Sequence, residues 1–589
     1  MRKRKFLLGL ALTATSMLAL ASCGSSDDKN QTIIYAYDTD NNEIIKVGSC
    51  EVIFKEDSSI PYILLEDGVG LMSEVRGAVL NDENYKYTFN VENDNFIITN
   101  EVGAKCAINK NAQTLTYSDY DKFINVVAEN QNPLSILTLK DNKALKQVES
   151  QYTPGKAVTY DLNNYSRLDI YDKDGKFYLP VSVFNSLLFN TSENTNLAYN
   201  GKNLYLIPAG SLSINTGMEV IETKLGEAFR EGASKDSISQ EYLEYYYQSL
   251  CLDFNCGYGL RNKISSGFDS FLPVEFKNGM LSSTDPKIID INTYYSLTYL
   301  EDGHTGLTEF SNFYAFKGGE EVDPTKIDPT KKALDDDGEG LQIAKAFAGI
   351  EEGIQYMNDT VFVTFDEFST LDNSLLYPDP DDILKTLGFD DDDEENGESE
   401  NTAVLFGRLY KELTSGEHSE VKNIVIDLTT NGGGSSDTLT FALSTLLGEV
   451  YFDMTNPISG AHNHQVYKAD INLDGEINSG DVPLKDFGYQ IYFFNSNHTF
   501  SSANAMAVAA KINNPNVITL GDKTGGGPCA VRRVITPLGS EISMSSLTTI
   551  SKLDNGQYVN IDGGVDADLI IDHQYFTDRN YIYDLIHSK

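Results

Sequence analysis

The chain has 589 residues, 41% of them hydrophobic, with 34 Tyr, 29 Phe and no Trp; this is too long for a single core and rich enough for two or three domains. A formal charge of −42 repels phosphate backbones and argues against nucleic-acid binding. The same acidity suits a solvated extracytoplasmic protein and one able to hold Ca²⁺.

MRKRK is a basic start, and residues 6–21 form an apolar run shorter than the ~20 residues of a membrane span. The run closes in LASC, which resembles a bacterial lipoprotein signal with Cys23 as the lipidated residue. Residues 1–22 are then a leader, GSSDDKNQ a polar tether, and the mature protein is expected outside the cytoplasm, anchored to the cell membrane by lipid. Cys50, Cys106, Cys251, Cys256 and Cys529 follow. Cys251 and Cys256 bracket LDFN and are candidates for a bridge, but the sparse spacing favours free buried thiols for most.

Residues 23–215 read as a β-rich N-terminal module. IIYAY, CEVIFK, YKYTFNV and NFIITN are apolar or alternating runs between Asn/Asp/Gly turns. SIPYILLEDGVGLM and KFYLPVSVFNSLLF echo one another, each with an aromatic and a Pro before a short helical stretch. NLAYNGKNLYLI then reads as a hairpin. The echo resembles the small repeat domain at the N-terminus of some copper amine oxidases and many cell-surface proteins. A binding or spacer role follows from it, without copper.

Residues 216–589 change character. DSISQEYLEYYYQSLCLDF has helical spacing with capping residues at its start. From about 288 onward strands and helices alternate, and continuous apolar strands such as VKNIVID imply an α/β layer with a largely parallel sheet. Acidic or Pro/Gly-rich insertions at 319–342, 370–401 and 455–485 interrupt it; the first two read as solvated loops.

Three segments carry chemistry. VKNIVIDLTTNGGGSS is a buried strand ending in glycines, whose bare N–H groups serve a phosphate or an oxyanion. No Lys-Ser/Thr follows, so it is not a Walker loop. In HTFSSANAMAVAAKI two serines open an Ala-rich helix, either as a cap or with a hydroxyl exposed at the helix N-terminus. YLEDGHTGL sets His304 in a glycine-flanked turn.

Taken in order, DGHT, DLTTNGG, SSAN at a helix start, GDKTGGG and GGVDAD resemble the serine peptidase family of the C-terminal-processing (tail-specific) proteases, tricorn protease and interphotoreceptor retinoid-binding protein. The resemblance covers roughly residues 216–589 and implies a crotonase-like α/β superhelical fold with peptide-bond hydrolysis. On that frame Ser501 matches the nucleophile and Asn504 the usual Glu, while an ungapped register from Gly521 selects Ser502 instead. The lysine of the tail-specific branch is replaced by glycine in KTGGGP, and Lys523 lies too early. The tricorn-like branch therefore fits, with His304 as the general base and Gly433 or Gly434 lending an oxyanion N–H together with the residue after the nucleophile. That branch has a serine before the base and a late Glu that orients it; here stand Gly303 and, late in the chain, Asn560 or Asp562, so Asp302 or Asp562 is left to hold the histidine. Thr429 stands where the family often has Arg. His498, close before Ser501, reads as a strand-end surface residue, and the spacing around His462 and His464 does not support zinc.

A second site is read from spacing alone. DINLDGEINSGD (470–481) sets side-chain oxygens of Asp470, Asn472, Asp474, Asn478 and Asp481, and the carbonyl of Glu476, at calcium-loop positions with Gly475 at the turn. A structural Ca²⁺ that stiffens an insertion is expected there, with no cofactor for catalysis. The combined expectation is a lipid-anchored serine endopeptidase acting on peptides or proteins. Its rivals are a catalytically inactive peptide-binding lipoprotein on the same fold, and a surface assembly protein docking through 470–481.

Overall fold

The computed structural model describes residues 31–39, 41–80, 82, 84–125, 132–137, 142–190, 195–215, 220–231, 237–310, 323–378 and 401–588. The expected leader and Cys23 lie outside the described residues. No helix among the described residues is long and apolar enough to cross a membrane.

The N-terminal region is β-rich. One seven-stranded sheet runs in the order Tyr171–Lys173, Lys176–Pro180, Tyr62–Leu64, Glu43–Ile53, Gln31–Asp38, Leu204–Pro208, Thr195–Tyr199. A five-stranded meander adds Thr88–Glu92, Asn95–Thr99, Lys105–Asn109, Thr114–Tyr117 and Val158–Asp161. The sequence echo is also structural. Tyr62–Leu64 runs into helix Leu65–Leu80 and Lys176–Pro180 into helix Val181–Phe184, and the two strands pair antiparallel with Leu179 opposite Ile63. Gly68 permits the close approach of the two units, because a Cβ there would sit 2.6 Å from the Phe184 ring. Thr195–Tyr199 and Leu204–Pro208 form the expected hairpin.

The boundary expected at 215 does not separate the two sheets. Strand β1 (Leu145–Thr153) leaves the module and pairs antiparallel with residues 462–469, covering an edge that would otherwise stand open. Leu252, Cys256 and Leu547 belong to the same buried cluster as the module core. Across this junction the carboxylate of Asp121 accepts from Asn456 Nδ2 at 2.7 Å and Ser459 Oγ at 2.6 Å. Cys251 and Cys256 share helix Gln240–Gly257, set roughly 140° apart around its axis. Both are free and buried, so the bridge is not formed.

In the C-terminal region α1 (Pro286–Thr298) and β2 (Gly306–Glu309) flank the DGHT turn. The insertion read as a solvated loop holds helix α2 (Pro329–Phe347). Asp328 caps it through the N–H groups of Thr330 and Lys331, and Lys331–Asp335 and Lys332–Asp336 pair at one-turn spacing. Then follow β3 (Gly353–Met357), β4 (Thr360–Thr364), α3 (Thr402–Thr414), β5 (Asn423–Asp427), α4 (Ser436–Leu447), β6 (Val450–Thr455), β7 (His462–Ala469), β8 (Gln490–Asn495) and α5 (Ser502–Asn513). The chain closes with β9 (Ile518–Gly521), β10 (Cys529–Ile535), β11 (Glu541–Asp554), β12 (Gln557–Asn560), β13 (Leu569–Ile570) and α6 (Arg579–His587).

Two sheets result. One has the order β3-β4-β5-β8-β9-β13 and is parallel from β4 to β13. The other has the order β2-β11-β6-β7-β1, with β10 and β12 also paired to β11. The apolar run of β5 is explained by burial on both faces: Ile424 and Ile426 pack with α3, α4 and α5, whereas Val425 packs with Ile582 and Ile586 of α6. Asp427 at the end of β5 stands opposite Phe494 near the end of β8. The turns that follow these strands therefore lie side by side at the carboxyl edge of the sheet, where open α/β sheets hold their ligands.

Candidate active site

Ser501 sits between β8 and α5 with φ 54° and ψ −121°, a backbone conformation rare for a residue with a side chain. Three backbone bonds impose it: Phe500 N–H to Asn431 O at 3.1 Å, Ser501 N–H to Gly526 O at 2.9 Å and Ala503 N–H to Phe500 O at 3.0 Å. The Ser501 side chain caps nothing and is partly exposed. Ser502, the alternative nucleophile, is buried in the first turn of α5 and donates its hydroxyl to Gly434 O at 2.8 Å. Asn504 fixes the helix from behind, donating to Ile561 O at 3.1 Å and accepting from Thr524 Oγ1 at 2.7 Å.

The glycine turn after β5 presses against this serine. Gly433 has φ 111° and Gly434 φ 130°, and a Cβ on Gly433 would lie 2.6 Å from Ser501 Cβ. The Gly433 N–H is already taken by Asn431 Oδ1 at 2.9 Å. The N–H groups of Gly434 and Ser502 have no acceptor among the described residues. Of the two glycines offered by the sequence, Gly434 is therefore the one with a free donor.

His304 is delivered by the other sheet. β2 pairs with β11, Gly306 opposite Ser543, and Ser543 Oγ donates to His304 O at 2.6 Å. Asp302 builds the turn: its carboxylate accepts from His304 N–H at 3.1 Å and Thr305 Oγ1 at 2.6 Å. It thus holds the histidine backbone, not the ring. The imidazole packs on Phe500, ring centres 4.8 Å apart, which puts His304 across the residue next to Ser501. Its Nδ1 is buried without a hydrogen-bond partner among the described residues. Burial lowers the imidazole below its ordinary value, while the carboxylates of Asp302 and Asp562 pull it back up. No hydrogen bond joins Asp562 to the ring among the described residues; its Oδ1 accepts from Gly527 N–H at 3.4 Å.

Beneath the glycine turn lies a charged cluster that sequence reading missed. The fully buried Asp427 accepts from Lys345 Nζ at 3.2 Å, Arg579 Nη2 at 2.7 Å and Thr429 Oγ1 at 2.6 Å. Burial alone would raise its carboxyl; Lys345 and Arg579 overcome that and hold it well below the usual range. Lys345 also donates to Thr430 Oγ1 at 2.7 Å, so α2 is tied to the turn itself. His498 is pinned to the same helix, Nε2 to Asp337 Oδ2 at 3.1 Å, and is no free surface residue. His462 and His464 both face Asp453 Oδ1, at 2.8 and 3.0 Å.

In the 470–481 loop Asp470 and Asp481 accept from the loop's own backbone, whereas Asp474 and Glu476 are exposed. Asp470 accepts from Gly475 N–H at 2.7 Å, Asp474 N–H at 3.1 Å and Tyr377 Oη at 2.8 Å. Asp481 accepts from Ile471 N–H at 2.9 Å and Asn478 N–H at 2.7 Å. Among the described residues no three His, Cys, Asp or Glu side chains converge as a metal-binding group.

Comparison with known proteins adds a family match. Residues 394–571 match Peptidase family S41. No curated protein matches the chain. Among solved structures, the photosystem II D1 C-terminal processing protease is 17% identical with TM-score 0.25, over 38% of this chain and 45% of that one. A lipoprotein from Streptococcus agalactiae is 14% identical with TM-score 0.33, over 58% and 96%. Mature CPAF is 15% identical with TM-score 0.26, over 40% and 52%. The chain thus spans less than half the length of the processing protease it matches. The segment matched to Peptidase family S41 includes the glycine turn after β5 and Ser501.

Proposed function

We propose that the protein is a serine endopeptidase with Ser501 as nucleophile and His304 as general base, held outside the cytoplasm by lipid on Cys23. The observation that carries this reading is the backbone of Ser501 at φ 54°, at the start of α5 and flush against Gly433. Such a conformation costs about 1–3 kcal/mol and persists only where the surroundings impose it, as at strained strand-to-helix nucleophile turns.

The chemistry follows from the groups present. A serine hydroxyl is a weak nucleophile until a neighbouring base takes its proton. Burial favours the neutral form of the His304 imidazole, the form able to accept one. With Nδ1 buried, Nε2 is assigned to the transfer. Ser501 Oγ attacks the scissile carbonyl, and the oxyanion is bound by the N–H groups of Gly434 and Ser502. The C–N bond then breaks, and His304 returns the proton to the leaving amine. Water repeats the sequence on the acyl-enzyme. Asp562 favours the imidazolium through space.

Ca²⁺ at 470–481 belongs to the same proposal as a brace for the segment between β7 and β8. Its residues keep oxygens at the calcium-loop positions, and the loop is already closed by Asp470 and Asp481. The N-terminal module, sharing a core with the peptidase region, is proposed to present substrate or space the site from the membrane.

A fluorophosphonate probe tests the catalytic reading. It should label the intact protein, lose labelling in Ser501→Ala and keep it in Ser502→Ala. Well-folded protein that neither labels nor cleaves peptides would replace the enzyme by a peptide-binding surface protein. Fatty-acid labelling lost in Cys23→Ala tests the anchor.

A further inference from the structure

We propose that Phe500 is the positioning residue of the base: its ring, in place of a hydrogen-bonded carboxylate, sets the His304 imidazole against Ser501. The inference rests on the reading of Ser501 and His304 as nucleophile and base.

Three observations converge on this ring. The first is the contact itself, with the imidazole tilted 58° to the phenyl ring and the ring centres 4.8 Å apart. The second is that His304 Nδ1, the nitrogen a carboxylate orients in the usual triad, is buried with no partner among the described residues. Asp302 and Asp562 are the two carboxylates that act on the ring, and neither bonds to it. The third is the space made for Phe500. A Cβ on Gly303 would lie 2.9 Å from the phenyl ring, and one on Gly527 would lie 2.6 Å from it. These glycines come from the base turn and from the segment after β9, so two separate parts of the chain give up side chains around one phenyl ring.

The backbone of Phe500 adds a reason why the ring acts on geometry. Its N–H bonds to Asn431 of the glycine turn, its C=O accepts from Ala503 in α5, and it pairs with Gly526. Main chain thus fixes it to the oxyanion turn and to the nucleophile, and its side chain fixes it to the base. An imidazole with no hydrogen bond to set its χ2 depends on packing for its orientation. A displacement of about 1 Å in such an arrangement can cost roughly 10²-fold in rate.

Gly303 gives the cleanest test. Its φ is not in the left-handed region, so an alanine there is not strained by its backbone, and the nearest atoms its methyl group meets are those of the Phe500 ring. The experiment measures the fluorophosphonate labelling rate, the kcat/KM for peptide hydrolysis and its pH profile, and the titration of His304 by NMR, assigned by its loss in His304→Gln. Gly303→Ala, Phe500→Leu and the double variant are compared with the parent protein. Both single variants should slow labelling by about tenfold or more, mainly in kcat. Phe500→Leu should also raise the His304 titration midpoint as water reaches the ring. In the Phe500→Leu background, Gly303→Ala should cost little further, because the ring it collides with is gone. Folded single variants with parental labelling rates and an unmoved His304 titration overturn the proposal while leaving the peptidase reading intact. Additive losses in the double variant also overturn it. A parent protein that never labels removes both.

Discussion

A side chain on Gly433 would begin 2.6 Å from the Cβ of Ser501, so the turn after β5 and the helix start after β8 meet at van der Waals contact. Gly433→Ala is therefore expected to push Ser501 off its position and to strain a residue at φ 111°. Labelling of Ser501 should fall by about 10²-fold or more, with the circular dichroism spectrum retained. An alanine variant as reactive as the parent would remove the glycine turn from the site.

The base must be neutral to accept a proton. Burial lowers the His304 pKa below 6.5, so the acid limb of kcat/KM should lie under that value. Asp562 favours the charged imidazole; Asp562→Asn removes that help, and the limb should move to still lower pH. A limb that moves up in Asp562→Asn, or that survives in His304→Gln, assigns the titration to another group.

Much of this site was legible because it is local. The glycine cluster after an apolar strand, the serine pair before an Ala-rich helix and the histidine in its glycine turn are each contiguous, and the fold brings all three together. What escaped was non-local. Lys345 lies just past the acidic stretch 319–342 that reads as a solvated loop, and only the contact with Asp427 reveals a buried helix end there. β1 reads as part of the N-terminal module because nothing in its own alternation names β7 as its partner. The absence of a side chain at Gly303 was legible, but the Phe500 ring that packs against it follows Gly303 by nearly two hundred residues.

Calcium should stabilise the protein by mass action if the 470–481 loop holds it. Addition of Ca²⁺ to chelator-treated protein is expected to raise Tm, and Asp470→Ala should abolish the rise. Asp470→Ala should also lower Tm without calcium, because the Gly475 and Asp474 N–H groups and the Tyr377 hydroxyl lose their acceptor. Calorimetry that detects no binding, with Tm indifferent to chelator, leaves a loop closed by hydrogen bonds alone.

Lys345→Met removes one of two cations from a buried carboxylate. Asp427 keeps Arg579 and Thr429 but loses the lysine that also holds Thr430. Breaking a buried pair from one side typically costs about 3–5 kcal/mol, so chemical denaturation should show a loss of that order. Activity should fall as well, because Thr430 precedes Asn431 and the glycine turn. A change under about 1 kcal/mol, the size of an exposed pair, would mean that water reaches Asp427 freely.

The junction between the N-terminal module and the peptidase region carries its own pH dependence. Burial raises the Asp121 carboxyl from 3.8 to about 6, against the pull of its bonds from Ser459 and Asn456. The folded protein therefore binds this proton more tightly than the unfolded chain does. The resulting stability is complete below about pH 4 and is lost as the pH rises through about 6; for a shift of this size it is on the order of 2–3 kcal/mol. Asp427 is shifted the other way, so its stabilisation starts to fall below about pH 5; that opposite slope is common to parent and variant and cancels in their difference. Asp121→Asn should thus flatten the fall in stability between pH 4 and 6, read as the difference from the parent protein in denaturant midpoints. A parallel curve for the variant would mean that Asn456 and Ser459 hold an ionised carboxylate throughout, and that the two regions are joined by charge-assisted hydrogen bonds.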